Sequence, residues 1–258
     1  MPEGDTIHRA ADRLRSALEG RELVRFEALR AGRPAPRPGT RIEAVEARGK
    51  HLLIRFADGK VLQTHMRMTG SWHLYRTGER WRKPAGAVRA VVAVDGWEAV
   101  CFAAPVVRLL HESAAEHALG HLGPDLCQAD ADIDEAAARL QRMGPGTTIA
   151  EALLDQRVAA GIGNVFKSEA LFACGQHPFT PAVDLDPVTG RRLLVTASRQ
   201  LRANLATTRR TTAPGGVAVY DRAGRPCPRC GTPVAGRRHG SPPRATYWCP
   251  SCQPSPET

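Results

Sequence analysis

No apolar run in this 258-residue chain approaches the roughly 20 residues of a membrane-spanning helix. No charged leader precedes an apolar segment near the N-terminus, as a secretory signal requires. With 42% hydrophobic and 24% charged residues, the composition is that of a soluble globular protein, and a cytoplasmic location is expected. The length suffices for two or more domains.

The last quarter of the chain lacks lysine altogether. Residues 191–258 hold twelve arginines and only two acidic side chains, Asp221 and Glu257. Residues 1–190 balance 24 Lys plus Arg against 24 Asp plus Glu, so the whole net charge of +10 sits at one end. A solvated basic face is the simpler explanation. Exclusive use of arginine argues instead for a polyanion, because its fork matches phosphate oxygens and its binding releases counterions from nucleic acid.

Cys101, Cys127 and Cys174 have no partner at a metal-binding spacing and are read as buried thiols. The other four cysteines form two C-x2-C pairs, Cys227/Cys230 and Cys249/Cys252, separated by 18 residues. That is the spacing of a zinc ribbon, one tetrahedral Zn2+ on four thiolates. Two disulfides are the alternative, disfavoured in a reducing cytoplasm. Four cysteines leave no open coordination position, so the expected single zinc is structural and holds Arg237, Arg238, His239 and Arg244 on a rigid knuckle.

The opening Met1-Pro2-Glu3-Gly4-Asp5 carries a different signal. Proline after the initiator methionine favours removal of Met1, which leaves a secondary amine. Its pKa, near that of an α-amino group, makes it a competent nucleophile at neutral pH. Glu3 beside it can transfer protons. By itself the segment reads better as a frayed leader ahead of a helix, and the rest of the chain must overturn that reading. A helix capped by Asp5 or Thr6, with Ile7, Ala10, Ala11, Leu14, Ala17 and Leu18 on one face and Gly20 at its end, would hold the amine in place.

From Arg21 to about Leu110 the pattern is β-rich. Runs at 42–47, 51–56, 61–66, 87–94 and 98–103, with turns at Asp58-Gly59 and Asp95-Gly96, predict an antiparallel sandwich interrupted by a loop from Arg30 to Thr40. Lys50 heads one of these runs. After about Glu112 the chain turns helical. Leu122-Gly123-Pro124-Asp125 reads as a linker, and helices are expected over 132–143 and 148–156, with caps at Asp130 or Asp132 and at Thr147 or Thr148. The glycine-rich turn Gly161-Ile162-Gly163-Asn164 feeds a further helix capped by Asn164, whose free N–H groups suit a phosphate. A last helix is expected over 187–207.

Together these motifs resemble, along essentially the whole chain, the formamidopyrimidine-DNA glycosylase and endonuclease VIII family, and the endonuclease VIII branch in particular. The carrying residues are Met1-Pro2-Glu3-Gly4, Gly49-Lys50 with Leu52-Leu53, His65-Met66-Arg67-Met68-Thr69-Gly70, Leu122-Gly123-Pro124-Asp125, Gly161-Ile162-Gly163-Asn164 and Arg244-Ala245-Thr246-Tyr247-Trp248-Cys249. The resemblance implies an α+β protein with an N-terminal antiparallel β-sandwich and flanking helix (1–118), a helix-two-turn-helix domain (119–215) and a C-terminal zinc ribbon (216–258). It also implies a monomeric, nucleoid-associated base-excision repair enzyme acting on damaged DNA without membrane or small-molecule cofactor. The implied catalytic residues are Pro2, Glu3, Lys50 and Arg244, and the implied DNA contacts are Arg67, Met68, Thr69, His121 and Asn164.

Two departures matter. Asp5-Thr6 stands where the family commonly has a proline and an acidic residue. The stretch Ala104-Pro105-Val106-Val107-Arg108-Leu109-Leu110 replaces the Asp-Pro-Arg-Arg-Phe-Gly motif with which the formamidopyrimidine branch probes the opposite strand. The missing Arg and Phe favour oxidised pyrimidines as substrates, with an 8-oxoguanine or formamidopyrimidine glycosylase as the alternative. A non-catalytic zinc-ribbon DNA-binding protein is the alternative from another class.

Overall fold

The computed structural model describes residues 2–28 and 31–255. Met1 and Arg30, the latter at the start of the expected loop, lie outside them. The chain divides into two compact units between His121 and Leu122. Mixed α+β architecture, with N-terminal sheets, a helical middle and a C-terminal four-cysteine cluster, is as expected. Among the described residues no helix is long and apolar enough to cross a membrane.

The first unit contains helix α1 (Gly4–Leu18), strands β1 (Leu23–Glu27), β2 (Ile42–Arg48), β3 (His51–Phe56), β4 (Lys60–His65), β5 (Ser71–Arg76), β6 (Val88–Val94), β7 (Trp97–Phe102) and β8 (Val106–His111), and helix α2 (Glu112–Leu119). The strands form two antiparallel four-stranded sheets, ordered β1-β6-β7-β5 and β2-β3-β4-β8. Leu52, Ile54, Phe56 and Leu62 from one sheet share a core with Val92, Val94, Ala99 and Cys101 from the other. Ile7, Ala11, Leu14 and Leu18, at helical spacing on α1, join that core, so burial of this stripe anchors the N-terminus.

The start of α1 differs from expectation. The N-cap position is Glu3, whose carbonyl accepts the N–H groups of Thr6 and Ile7, and no side chain caps it. Asp5, expected as a cap, is buried within the first turn.

The second unit holds α3 (Ile133–Gln141), α4 (Ile149–Ala152), α5 (Asn164–Cys174), α6 (Pro187–Ala203) and the hairpin β9 (Ala235–His239) and β10 (Arg244–Trp248). Asp132 caps α3, and Thr148 with Glu151 forms a capping box on α4. Three helix boundaries need correction: α4 stops at Ala152 and α6 at Ala203, while α5 is capped by extended Gly163, with Asn164 as its first residue. Leu140, Ile149, Phe166, Leu171, Leu193 and Leu201 form this unit's main core. The cysteine-rich end packs through Val219 and Val234 onto Phe172 of α5. Of the three remaining cysteines, Cys101 and Cys127 are buried as expected, but Cys174 is only half-buried and its thiol lies 3.4 Å from the Thr196 hydroxyl.

Candidate functional site

Glu3 is fully buried at the head of α1, so its carboxylate lies where a helix N-terminus favours negative charge. Pro2, half-buried, borders a cavity of about 270 Å³ that Thr6, Arg9, Arg13, Met66, Gly70 and Trp72 also line. The Thr6 hydroxyl donates to the buried Asp5 carboxylate at 3.2 Å. A secondary amine freed at position 2 would thus open onto a cavity with a buried carboxylate next to it in sequence.

Lys50 lies in the two-residue turn between β2 and β3, where Arg48 pairs with His51 and Gly49 takes a φ of 58°. Beyond the turn, His51 and His65 face each other across β3 and β4 with ring centroids 4.8 Å apart. Burial pushes His51 down to about 3, aided by the charges of His65, His121, Arg108 and Lys50. Burial likewise pushes His65 down to about 4, aided by Lys50 and Arg67. Both rings are therefore neutral at physiological pH, and the positive charge of the neighbourhood rests on Lys50, Arg67 and Arg108. The Gln63 amide lies 3.3 Å from His51 Nδ1. His121 is an exposed residue following α2.

The segment after β4 is a tight turn. Arg67 has a φ of 44° and donates its backbone N–H to His65 Nδ1, and Gly70 N–H closes the turn on the Met66 carbonyl. Met68 protrudes, 61% exposed, between exposed Arg67 and Thr69. A Cβ at position 70 would stand 2.7 Å from Met66 Cα and 2.8 Å from Ala104 Cα, so only glycine permits this approach. The stretch expected to correspond to the opposite-strand probe runs into β8 from Val106 onward, where Arg108 pairs with Gln63.

In the second unit, Asn164 is 5% exposed and its amide nitrogen donates to the Ala245 carbonyl at 2.7 Å. This ties the start of α5 to β10, whose first residue, Arg244, is exposed. Two buried charges here have no counterpart in the sequence-based site. Lys167 Nζ donates to Asn164 Oδ1 and to Thr246 Oγ1. The Glu169 carboxylate accepts the backbone N–H groups of Ala218, Val219 and Tyr220 and the Thr212 hydroxyl. The signal for both was a charged residue at a core position of α5, which periodicity alone assigns to apolar packing.

The thiol sulfurs of Cys227, Cys230, Cys249 and Cys252 all lie within 4.8 Å of one another. Separations of 3.4, 3.5 and 3.9 Å bracket the ~3.8 Å edge of a tetrahedron with Zn–S bonds of ~2.3 Å, and they are far too long for disulfides. Backbone N–H groups of Arg229 and Cys252 point at the Cys227 and Cys249 sulfurs. The four residues fit one structural zinc. Of the expected knuckle residues, Arg237, Arg238 and Arg244 are exposed, whereas His239 packs against Phe179 and lies 3.3 Å from Glu151.

Residues 1–105 match the formamidopyrimidine-DNA glycosylase N-terminal domain, and residues 122–214 match the formamidopyrimidine-DNA glycosylase H2TH domain. The chain is 44% identical to a probable endonuclease 8 2 of Streptomyces coelicolor, over 99% of this chain and 95% of that one. It is 38% identical to the DNA-(apurinic or apyrimidinic site) lyase Nei2 of Mycolicibacterium smegmatis, over 98% and 99% of the two chains. Among solved structures, MutM (Fpg) of Thermus thermophilus superposes with a TM-score of 0.80 at 28% identity, covering 99% of this chain and 100% of that one. A complex of Lactococcus lactis Fpg with DNA containing an abasic site has the same fold, with a TM-score of 0.81 at 21% identity and coverage of 98% and 100%.

Proposed function

The chain belongs to the formamidopyrimidine-DNA glycosylase family, and we propose that it is a bifunctional base-excision repair enzyme, a DNA glycosylase and abasic-site lyase that removes oxidised pyrimidines. The observation that carries the reading is the pairing of Pro2, at the rim of a cavity, with the fully buried carboxylate of Glu3 on a packed helix start. Whole-length similarity to proteins named as an endonuclease 8 and an abasic-site lyase supports it.

The reaction begins with the damaged nucleotide turned out of the duplex, since its sugar carbon is inaccessible within the stack. With Met1 removed, the Pro2 nitrogen lone pair forms a bond to C1′ while the glycosidic bond breaks and the base leaves with its electron pair. Glu3 moves the protons: one reaches the sugar ring oxygen as the ring opens, which leaves a cationic iminium between Pro2 and C1′. The iminium acidifies the C2′ hydrogen. Loss of that proton expels the 3′ phosphate, a second elimination expels the 5′ phosphate, and water releases the Pro2 amine.

The other residues position the DNA. Lys50 and Arg244 bind phosphates flanking the lesion and support elimination, and Asn164 holds a phosphate at the start of α5. Met68, with Arg67 and Thr69 beside it, fills the space left by the extruded base. His121 is a further phosphate contact. A zinc ion on Cys227, Cys230, Cys249 and Cys252 would hold the ribbon in shape and takes no part in the chemistry. The protein works as a monomer at the nucleoid, with three segments, 1–118, 119–215 and 216–258, supplying the sandwich, the helical DNA-binding element and the ribbon.

The preference for pyrimidines is supported by the missing Arg and Phe of the opposite-strand probe motif, in whose stead the chain carries Val106-Val107-Arg108-Leu109. Incision rates on duplexes carrying thymine glycol, dihydrouracil or 8-oxoguanine test it. Faster cutting of the first two is expected. A reversed order would place the enzyme with the 8-oxoguanine glycosylases, and binding without any cutting would make it a DNA-binding protein only.

A further inference from the structure

Lys167 is the one lysine of α5 and is fully buried. Its Nζ lies 2.7 Å from Asn164 Oδ1, 2.8 Å from Thr246 Oγ1 and 3.3 Å from the Ala245 carbonyl oxygen. An ammonium has three protons, and here each has an oxygen acceptor, which is what makes burial of the charge tolerable. A buried cation of this kind costs stability relative to an apolar residue of similar volume, so its use at this place calls for a reason other than packing.

The reason lies in the amide of Asn164. A side-chain amide can occupy the same space in two orientations, with oxygen and nitrogen exchanged. Lys167 is donor-only, so the Asn164 atom facing it must be the oxygen. The Ala245 carbonyl is acceptor-only, so the atom facing it must be the nitrogen. Together they admit one orientation, in which one N–H is engaged by Ala245 and the second remains as a further donor on the first residue of α5. The same ammonium bonds Thr246, two residues after Arg244, so the helix start and the arginine strand are held by one group.

We propose that Lys167 is a positioning residue, which presets the Asn164 amide for a DNA phosphate and fixes Arg244 of β10 relative to it. The proposal rests on the reading of Asn164 and Arg244 as phosphate contacts. Its charge, one turn inside α5, adds to the positive end of the helix and favours the same anion.

The test uses the full-length zinc-loaded protein and a duplex with a tetrahydrofuran abasic-site analogue. Lys167→Met and Asn164→Ala are each expected to weaken binding about 10-fold or more. The double variant is expected to be little worse than either, because each single change already disables the same contact. Any slowing of single-turnover cleavage of abasic DNA at saturating enzyme in Lys167→Met should be smaller than its loss in binding and should vanish in an Arg244→Ala background, since Lys167 reaches the chemical step only through Arg244, and zinc content should stay at one. Thr246→Val, which removes one acceptor at constant size, should give a smaller loss that disappears in the Lys167→Met background. It serves as the probe if Lys167→Met does not fold. Wild-type affinity in both Lys167 and Thr246 variants, with Asn164→Ala impaired, would overturn the positioning role alone. Full additivity in the double variant would do the same. Unimpaired Asn164→Ala would overturn the phosphate reading and the proposal with it.

Discussion

The Thr69 hydroxyl donates to the Ala103 carbonyl at 2.9 Å, and the backbone on both sides of this contact is left-handed, with φ values of 44° at Arg67 and 49° at Ala103. That conformation costs a non-glycine residue on the order of 1 kcal/mol, so the turn bearing Met68 is held in place rather than relaxed. Gly70→Ala is expected to cost about 1–3 kcal/mol in urea unfolding, because the new methyl meets backbone on both sides. Met68→Ala, at an exposed tip, is expected to leave stability within about 0.5 kcal/mol and yet slow lesion excision. Excision unaffected by Met68→Ala would remove the wedge role.

Acid should weaken the first unit through the His51–His65 pair. Both are held below the usual histidine value, His51 at about 3 and His65 at about 4, so the folded state keeps them neutral while the unfolded chain takes up protons from about pH 6.5 downward. Stability is fully present above pH 6.5 and is lost as pH falls towards 4. Between pH 6.5 and 5 the loss is on the order of 1–2 kcal/mol after discounting for the solvent that reaches both rings. Urea midpoints across this range should fall more steeply for the wild type than for His51→Asn. Parallel slopes would contradict the assignment.

Strands were legible in the sequence where both faces are buried, as in β3, β4, β6 and β7, or where burial alternates along the strand, as in the edge strand β2. The expected runs became β2, β3, β4, β6 and β7, and the Asp58-Gly59 and Asp95-Gly96 turns fall between their partners. The three strands of the sandwich that were not assigned, β1, β5 and β8, are all sheet edges. Edge strands such as Ser71–Arg76 mix polar and apolar residues without clean alternation, because one side has no partner. The helix start at Glu3 was misplaced for a related reason: burial of Glu3, Gly4 and Asp5 against the rest of the unit extends the helix beyond the residues that prefer to cap it. Motifs with fixed spacing, above all the four cysteines, were legible because the chemistry dictates the spacing. Lys167 and Glu169 were not, since a buried ion is recognised by its partners, and those partners lie up to 79 residues away.

Glu169 should prove to be an anchor of the second unit. Its carboxylate gathers three consecutive backbone N–H groups, of Ala218, Val219 and Tyr220, together with the Thr212 hydroxyl. Removing it strands buried donors. Glu169→Ala is expected to cost about 3 kcal/mol or more, read as a fall in Tm and as faster proteolysis within residues 211–220. An unchanged Tm would show that the loop holds without the carboxylate.

Zinc should be stoichiometric and structural. Elemental analysis is expected to return one zinc per chain, and Cys249→Ser, at a fully buried ligand, should abolish it and weaken DNA binding by 10-fold or more. The same loss of DNA binding should follow prolonged chelation. DNA affinity that survives complete loss of zinc would sever the link between the ribbon and Arg244.

The central claim is that the amine of Pro2 attacks the sugar, and borohydride reduction during turnover on abasic-site DNA tests it most directly. Peptide mapping by mass spectrometry should find the reduced deoxyribose adduct on an N-terminal peptide that begins at Pro2, with Met1 absent, and acetylation of the terminus should abolish the covalent band. An adduct on a lysine such as Lys50, or strand cleavage with no trapped species at all, would contradict it.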